Sequence, residues 1–225
     1  MPSFQTIYDR AVIRKGGESS LLELLSDSLK TTEELSNIPD DRYLAEMTRR
    51  VFSAGFVWSV INNKWANFER AFHQFDIAKN VAMHDEALEA LTQDASIVRN
   101  GQKIFTVREN ARFIQDIAAE HGSFGRFFAD WPVENQVGLM EVFKKRGKRL
   151  GGNSAQYFIR FMGKDSFILS RDVVKALMDA DVIDTDKATS KRDQKAIQAA
   201  FNDWHQETGL SYTHLSQIAA MSIES

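Results

Sequence analysis

Apolar residues recur along this chain at helical rather than strand spacing. Phe4, Ile7, Tyr8, Ala11 and Val12 fall at i, i+3, i+4, i+7 and i+8, and the Gly16-Gly17 pair supplies a stop. Thr31 and Glu34 have the spacing of a capping box for a short turn. Pro39 and Asp40 open a longer helix through Leu44, Met47 and Val51, which thins or breaks at "AGF", residues 54–56. Further helices are predicted near 64–72, 85–92, 101–120, 133–146, 153–162, 171–179, 190–207 and 212–222. No window sustains period-two alternation between hairpin turns, so the expectation is an all-α protein without a substantial sheet. The 225 residues are expected to form a single domain, with 180–225 a helical C-terminal extension joined through the linker-like stretch 179–193.

Composition narrows the class. With 43% hydrophobic and 26% charged residues the chain is an ordinary globular one, and no apolar run approaches the roughly 20 residues of a membrane span. The opening "MPSFQTIYDR" carries an early acid and no apolar signal core, and the chain has no cysteine. A cytoplasmic address follows as an expectation. The five histidines show no ligand spacing, so no metal and no other cofactor is expected. A monomer is expected, because no coiled-coil seam stands out.

Charge is unevenly distributed. Residues 97–171 hold 13 Lys and Arg against 7 Asp and Glu, whereas the remainder holds 15 against 24. The densest run, "KKRGKRLGGNSAQYF" at 144–158, places Lys144, Lys145, Arg146, Lys148 and Arg149 before Gly151, Gly152, Asn153 and Ser154. Two helices joined there by a glycine-containing hairpin would aim backbone N–H groups outward, and the second would add its positive dipole end. Glycine lets a phosphate approach the backbone. The combination suits a grip on a nucleic-acid backbone without sequence reading. A basic helix C-terminus with a glycine cap reads the same residues more plainly.

Several ordered motifs together resemble the DNA-3-methyladenine glycosylase I family, within the helix-hairpin-helix glycosylase superfamily. They are Ala54, Gly55, Phe56 and Trp58; Phe68, Ala71, Phe72, Phe75 and Asp76; and Ile97, Arg99, Asn100, Lys103 and Ile104. The basic run falls where the family has its hairpin, so the likeness spans roughly residues 40–175. It implies an all-α helix-hairpin-helix fold with a DNA-facing cleft, in a cytoplasmic, nucleoid-associated enzyme of base-excision repair. The implied reaction is hydrolysis of the N-glycosidic bond of an alkylated purine, 3-methyladenine-like, flipped out of double-stranded DNA. A cationic base leaves readily, and an aromatic box suffices to hold it.

The resemblance also distributes roles. Trp58 would stack on the flipped base, although "FVWSVI" reads equally as core. Tyr8 lies where the family has a pocket tyrosine, and alternatively lines a helix face. Phe56 would wedge into the vacated stack. Arg99 and Lys103 would reach phosphates, together with Lys148, Arg149 and the Gly151–Ser154 turn. Glu46 and Asp172 are the candidate carboxylates. Ser170 stands where many helix-hairpin-helix glycosylases carry a catalytic aspartate, which family members commonly lack too.

Two departures stand out. The family's Cys and His zinc clip cannot form in a chain without cysteine. Arg50 occupies the position of the base-reading glutamate, eight residues before Trp58, and replaces an acceptor by a donor that repels a cation. A different lesion, a relocated carboxylate such as Glu46, a slip of register and lost catalysis all remain open at this point. The alternative to an enzyme is a non-catalytic protein that binds damaged or bent DNA.

Overall fold

The computed structural model describes residues 3–26 and 28–224. Among them there is helix and no strand. The helices run α1 (Gln5–Lys15), α2 (Glu18–Glu23), α3 (Thr32–Ser36), α4 (Asp40–Ser53), α5 (Trp58–Asn63), α6 (Trp65–Ala71), α7 (Ile77–Val81) and α8 (Asp85–Leu91). They continue with α9 (Gly101–His121), α10 (Phe124–Asp130), α11 (Gln136–Arg146), α12 (Asn153–Phe161), α13 (Arg171–Asp179), α14 (Lys191–Thr208) and α15 (Tyr212–Met221). The chain divides into two compact units. One comprises Met1–Leu29, Pro132–Leu139 and Gly163–Ser225, and the other Lys30–Trp131 and Met140–Met162. No helix among the described residues is long and apolar enough to cross a membrane.

In the first unit the earliest helix packs on the latest ones. Phe4, Ile7 and Ala11 are buried with Ile197, Phe201 and Trp204 of α14 and Leu215, Ile218 and Ala219 of α15. Phe4 meets Trp204 at 5.3 Å between ring centroids, and Phe167 stacks on Phe201 at 4.5 Å. Gly16 ends α1 in the left-handed region, φ 79°, and its N–H returns to Ile13 O. Polar ties close the same face. The Phe4 N–H donates to Glu207 Oε2 (3.0 Å), Arg10 pairs with Asp179 (3.0 Å) and Arg10 Nη2 donates to Ser222 Oγ (3.2 Å). Residues of the 180–225 stretch thus contribute to this core.

In the second unit α4 runs through the middle. Its Tyr43, Leu44, Met47 and Val51 are fully or almost fully buried, as the spacing requires. Tyr43 sits among Phe124, Phe128 and Phe158, and its hydroxyl donates to Leu35 O (2.7 Å). The Thr31–Glu34 capping box is present in full. A second aromatic group, Trp65, Phe68, Phe72 and Phe75, stacks ring on ring, and Phe68 meets Phe52 edge-on at 4.7 Å. Sequence periodicity passes over α2, α5, α7 and α10, each of five to seven residues. Segments of less than two turns show too few repeats to declare a period, and tertiary packing holds them.

Candidate functional site

The basic run forms the predicted hairpin between α11 and α12, with two of its five cations in ion pairs. Arg146 makes a paired contact to the Glu120 carboxylate at 2.7 and 2.9 Å, and Lys145 reaches back to Glu141 (3.6 Å). Lys144, Lys148 and Arg149 are exposed, the last with its guanidinium on Gln102 and its backbone at φ 56°. A Cβ at Gly147 would lie 2.8 Å from Phe143 O and from Leu150 Cδ1, so glycine there lets the turn close. Gly152, at φ 55° and ψ −132°, adopts a conformation that side chains do not tolerate. It is the N-cap of α12, where no side chain caps the helix, and the first-turn N–H groups at Asn153 and Ser154 lack an intrahelical acceptor. That leaves donors and a positive dipole end for an anion.

One residue that the sequence does not advertise fixes this hairpin. Asn110, fully buried on α9, accepts from the Lys148 N–H (2.7 Å) and donates from Nδ2 to Lys148 O (3.2 Å). Its only signal is a polar residue on the stripe Ile104, Val107, Ala111, Ile114.

The aromatic group lies at the far end of the same helix. Trp58 meets Tyr157 edge-on at 5.5 Å and Phe161 at 5.8 Å, the latter two being the i, i+4 aromatics of α12. Trp58 is 41% exposed and Phe161 51% exposed, which sets Trp58 apart from core. With Phe56 and Val57 they form an apolar surface that water alone does not explain. The break at 54–56 creates it: Ala54 is extended, Gly55 turns at φ 76°, and α5 begins at Trp58.

Arg50 lies beneath this surface. Only 6% exposed, its guanidinium carbon sits 4.2 Å from the Phe161 ring centroid and 5.0 Å from that of Trp58. Nε is 2.7 Å from Glu46 Oε1, an i, i+4 ion pair on one face of α4. Burial disfavours both charges: it lowers the Arg50 pKa and raises that of Glu46, with each opposed by the charge of the other. Glu46 thus serves Arg50 and is not a free acceptor for a ligand.

Lys103 departs from its expected role. It is 5% exposed, and its ammonium donates to Phe52 O (3.2 Å) and Ala54 O (2.5 Å) at the carboxyl end of α4, 4.4 Å from the Phe56 ring centroid. It therefore positions the Phe56 turn, and its charge is withheld from phosphates. Burial lowers its pKa, helped by Arg149. Arg99 is exposed beside Asn100, which caps α9. In the first unit, the Tyr8 hydroxyl donates to Glu18 Oε1 (2.6 Å) and its pKa is pushed up to about 12, chiefly by that bond. Ser170 caps α13 by accepting from the Val173 N–H, and Asp172 stands in its first turn. No three His, Asp or Glu side chains converge among the described residues. Without cysteine, the donor set does not fit the zinc clip.

Comparison with known proteins agrees with this architecture. The family model described as methyladenine glycosylase matches residues 36–180. DNA-3-methyladenine glycosylase 1 of Escherichia coli (strain K12) is 44% identical over 59 residues, which is 26% of this chain and 32% of that relative. The alignment thus spans about a third of the curated relative's length. A crystal structure of 3-methyladenine DNA glycosylase I superposes with TM-score 0.51 at 24% identity, covering 60% of this chain and 82% of that one. The 8-oxoguanine DNA glycosylase of Methanocaldococcus jannaschii gives 0.57 at 18% identity, covering 94% and 91%. At these identities the superpositions establish a shared helix-hairpin-helix glycosylase fold. With the family model matched across most of its length, this chain belongs to the methyladenine glycosylase family.

Proposed function

We propose that this protein is a monofunctional DNA glycosylase of base-excision repair, which hydrolyses the N-glycosidic bond of an alkylated purine flipped out of duplex DNA. The observation that carries the reading is the placement of two devices on one helix. The amino end of α12 offers uncapped N–H groups beside Lys148 and Arg149, and its carboxyl end adds Tyr157 and Phe161 to the half-exposed Trp58. A backbone grip and a stacking platform, set about two helical turns apart, suit an enzyme that must hold a strand while it extrudes one base. Phe56, held by Lys103, would fill the vacated stack. DNA-3-methyladenine glycosylase 1, the similar Escherichia coli protein, is named for a purine of this class.

In this reading water attacks C1′ of the extruded nucleotide. Lys103 is spent on carbonyls and is no Schiff-base nucleophile. Glu46 is engaged by Arg50, which leaves Asp172, in the first turn of α13, as the remaining candidate carboxylate. Base-to-aromatic stacking is worth about 1–3 kcal/mol, so Trp58→Ala should slow excision roughly 5- to 150-fold. The assay is abasic-site formation in methylated duplex DNA, with the wild type beside this variant. A second reading, a binder of damaged DNA without catalysis, is favoured by the arginine at position 50. Salt-dependent binding with no abasic site across a panel of lesions would establish it.

A further inference from the structure

Gln102, Phe105, Thr106 and Glu109 follow one another along α9 at three- and four-residue spacing, so they share a face. The α11–α12 hairpin lies against that face, because Asn110 clasps the backbone of Lys148 and Gln102 accepts from the Arg149 guanidinium. Helix and hairpin together line a recess of about 380 Å³ with Gln102, Phe105, Thr106, Glu109, Lys148 and Arg149. That volume falls within the range of about 300–1,000 Å³ usual for small-molecule sites. Phe105 is half-buried, and the Arg108 guanidinium carbon lies 5.9 Å from its ring centroid. Arg108 is itself tied to Asp85 (2.7 Å) and Met83 O (2.9 Å), so the ring has a fixed neighbour. The Thr106 hydroxyl already donates to Lys103 O (2.6 Å). Arg149 holds φ 56°, a left-handed conformation rare outside glycine, and this strained residue is the one whose guanidinium borders the recess.

We infer that this recess is a second nucleotide site, separate from the Trp58 platform, which takes one unpaired nucleotide of the strand gripped by the hairpin. Its base lies on Phe105, an N–H of its pairing edge donates to the Glu109 carboxylate, and its phosphate meets Lys148 and Arg149. A phosphate site alone has no use for the ring, and an apolar ligand has none for the two cations. Ring, carboxylate and paired cations in one recess match the three parts of a nucleotide. Every base carries a pairing-edge N–H, and only an unpaired base has it free for Glu109. A base within a duplex is also excluded sterically, since its faces are covered by its neighbours. The recess shares Lys148 and Arg149 with the backbone grip, so its occupant belongs to the bound DNA and not to the pool of free nucleotides. The inference rests on the DNA-binding part of the reading above and not on the excision step.

The test measures affinity of the full chain, by fluorescence anisotropy, for two labelled duplexes. One carries a single unpaired thymidine, and the other carries an unpaired tetrahydrofuran residue at the same place, which keeps the bulge and its phosphate but has no base. Stacking one base on an aromatic ring is equivalent to about 5- to 150-fold in affinity, so the wild type should bind the thymidine bulge at least fivefold tighter. Phe105→Ala should reduce that difference below about twofold and leave the tetrahydrofuran duplex bound as before. Phe105→Tyr, which keeps a ring, and Trp58→Ala should both retain the difference. Glu109→Ala should narrow it by roughly twofold to tenfold, the equivalent of one hydrogen bond. Equal wild-type affinities for the two bulges would overturn the inference, and so would a difference that survives Phe105→Ala. Loss of the difference in Trp58→Ala would put the base on the Trp58 platform and sink the second site. Free thymidine 5′-monophosphate that binds as tightly as the bulged duplex would make the recess a small-molecule site and overturn the assignment to DNA. The wild-type comparison stands even where Phe105→Ala fails to fold. Neither bulge is scored for bond cleavage, so failure here leaves the glycosylase reading intact, and failure of the abasic-site assay leaves this one intact.

Discussion

Replacing Asn110 with alanine tests whether the hairpin is held from behind. The side chain makes two hydrogen bonds to the backbone of Lys148, at 2.7 and 3.2 Å, and is itself fully buried. Each such bond contributes about 0.5–1.5 kcal/mol net, so the loss of both should cost about 1–3 kcal/mol. With a urea m-value near 2–3 kcal/mol/M, the unfolding midpoint should fall by roughly 0.5–1 M. Asn110→Asp keeps the acceptor, loses the donor and buries a charge, so it should cost at least as much. DNA binding reports the local consequence. By fluorescence anisotropy on a labelled duplex, Asn110→Ala should weaken affinity about tenfold, and the slope of log affinity against log salt should shrink by up to about two as Lys148 and Arg149 lose register. A midpoint within ~0.2 M of wild type, with an unchanged salt slope, would show that the hairpin holds itself and that Asn110 is incidental.

Two more outcomes follow from the same geometry. Gly152→Ala should cost about 1–3 kcal/mol in a chemical melt because φ 55° with ψ −132° excludes a side chain, whereas Gly151→Ala, whose added carbon would approach no closer than 3.7 Å, should be nearly neutral. Asp40 gives a pH signature. Burial raises its pKa against the hydrogen bond from the Phe124 N–H (3.1 Å), so the folded state holds that proton more tightly than the unfolded chain does. Its contribution is therefore fully present below the ordinary aspartate range and lost as pH rises through the raised folded value. Urea midpoints measured from pH 3 to 7 should decline less steeply over that window in Asp40→Asn than in wild type; parallel curves would assign the slope to other groups.

Much of this could be read in the sequence because the relevant physics is local. The α4 stripe, the Gly16 stop, the Thr31–Glu34 box and the glycine hairpin each depend on residues within one or two turns. The departure at Arg50 was equally legible, since it needs only a register against Trp58. Its posture was not. That the guanidinium lies across Phe161, more than a hundred residues away, depends on how α4 and α12 pack. Lys103 and Asn110 escaped for a related reason. A lysine near a helix start and an asparagine in a helix both read as surface, and only tertiary contact shows the first holding the end of α4 and the second clasping the hairpin. The division into two discontinuous units is likewise a property of long-range contacts, for which no linker or composition shift gives a sign.

The meeting of α1 with α14 and α15 sets an order of events during synthesis. Phe4 waits for Trp204 and Glu207, some 200 positions downstream, whereas the unit of Lys30–Trp131 and Met140–Met162 is fully synthesised before α14 begins. At roughly 5–20 residues per second, the nascent amino-terminal helix spends about 10–40 s with the apolar stripe of Phe4, Ile7 and Ala11 uncovered. The intervening unit has that interval to fold ahead of it, and the high contact order of the late closure makes the last step the slow one. A ribosome stalled short of α14 would therefore display a folded central unit trailing an amphipathic helix in search of a partner, which is the species a chaperone would meet.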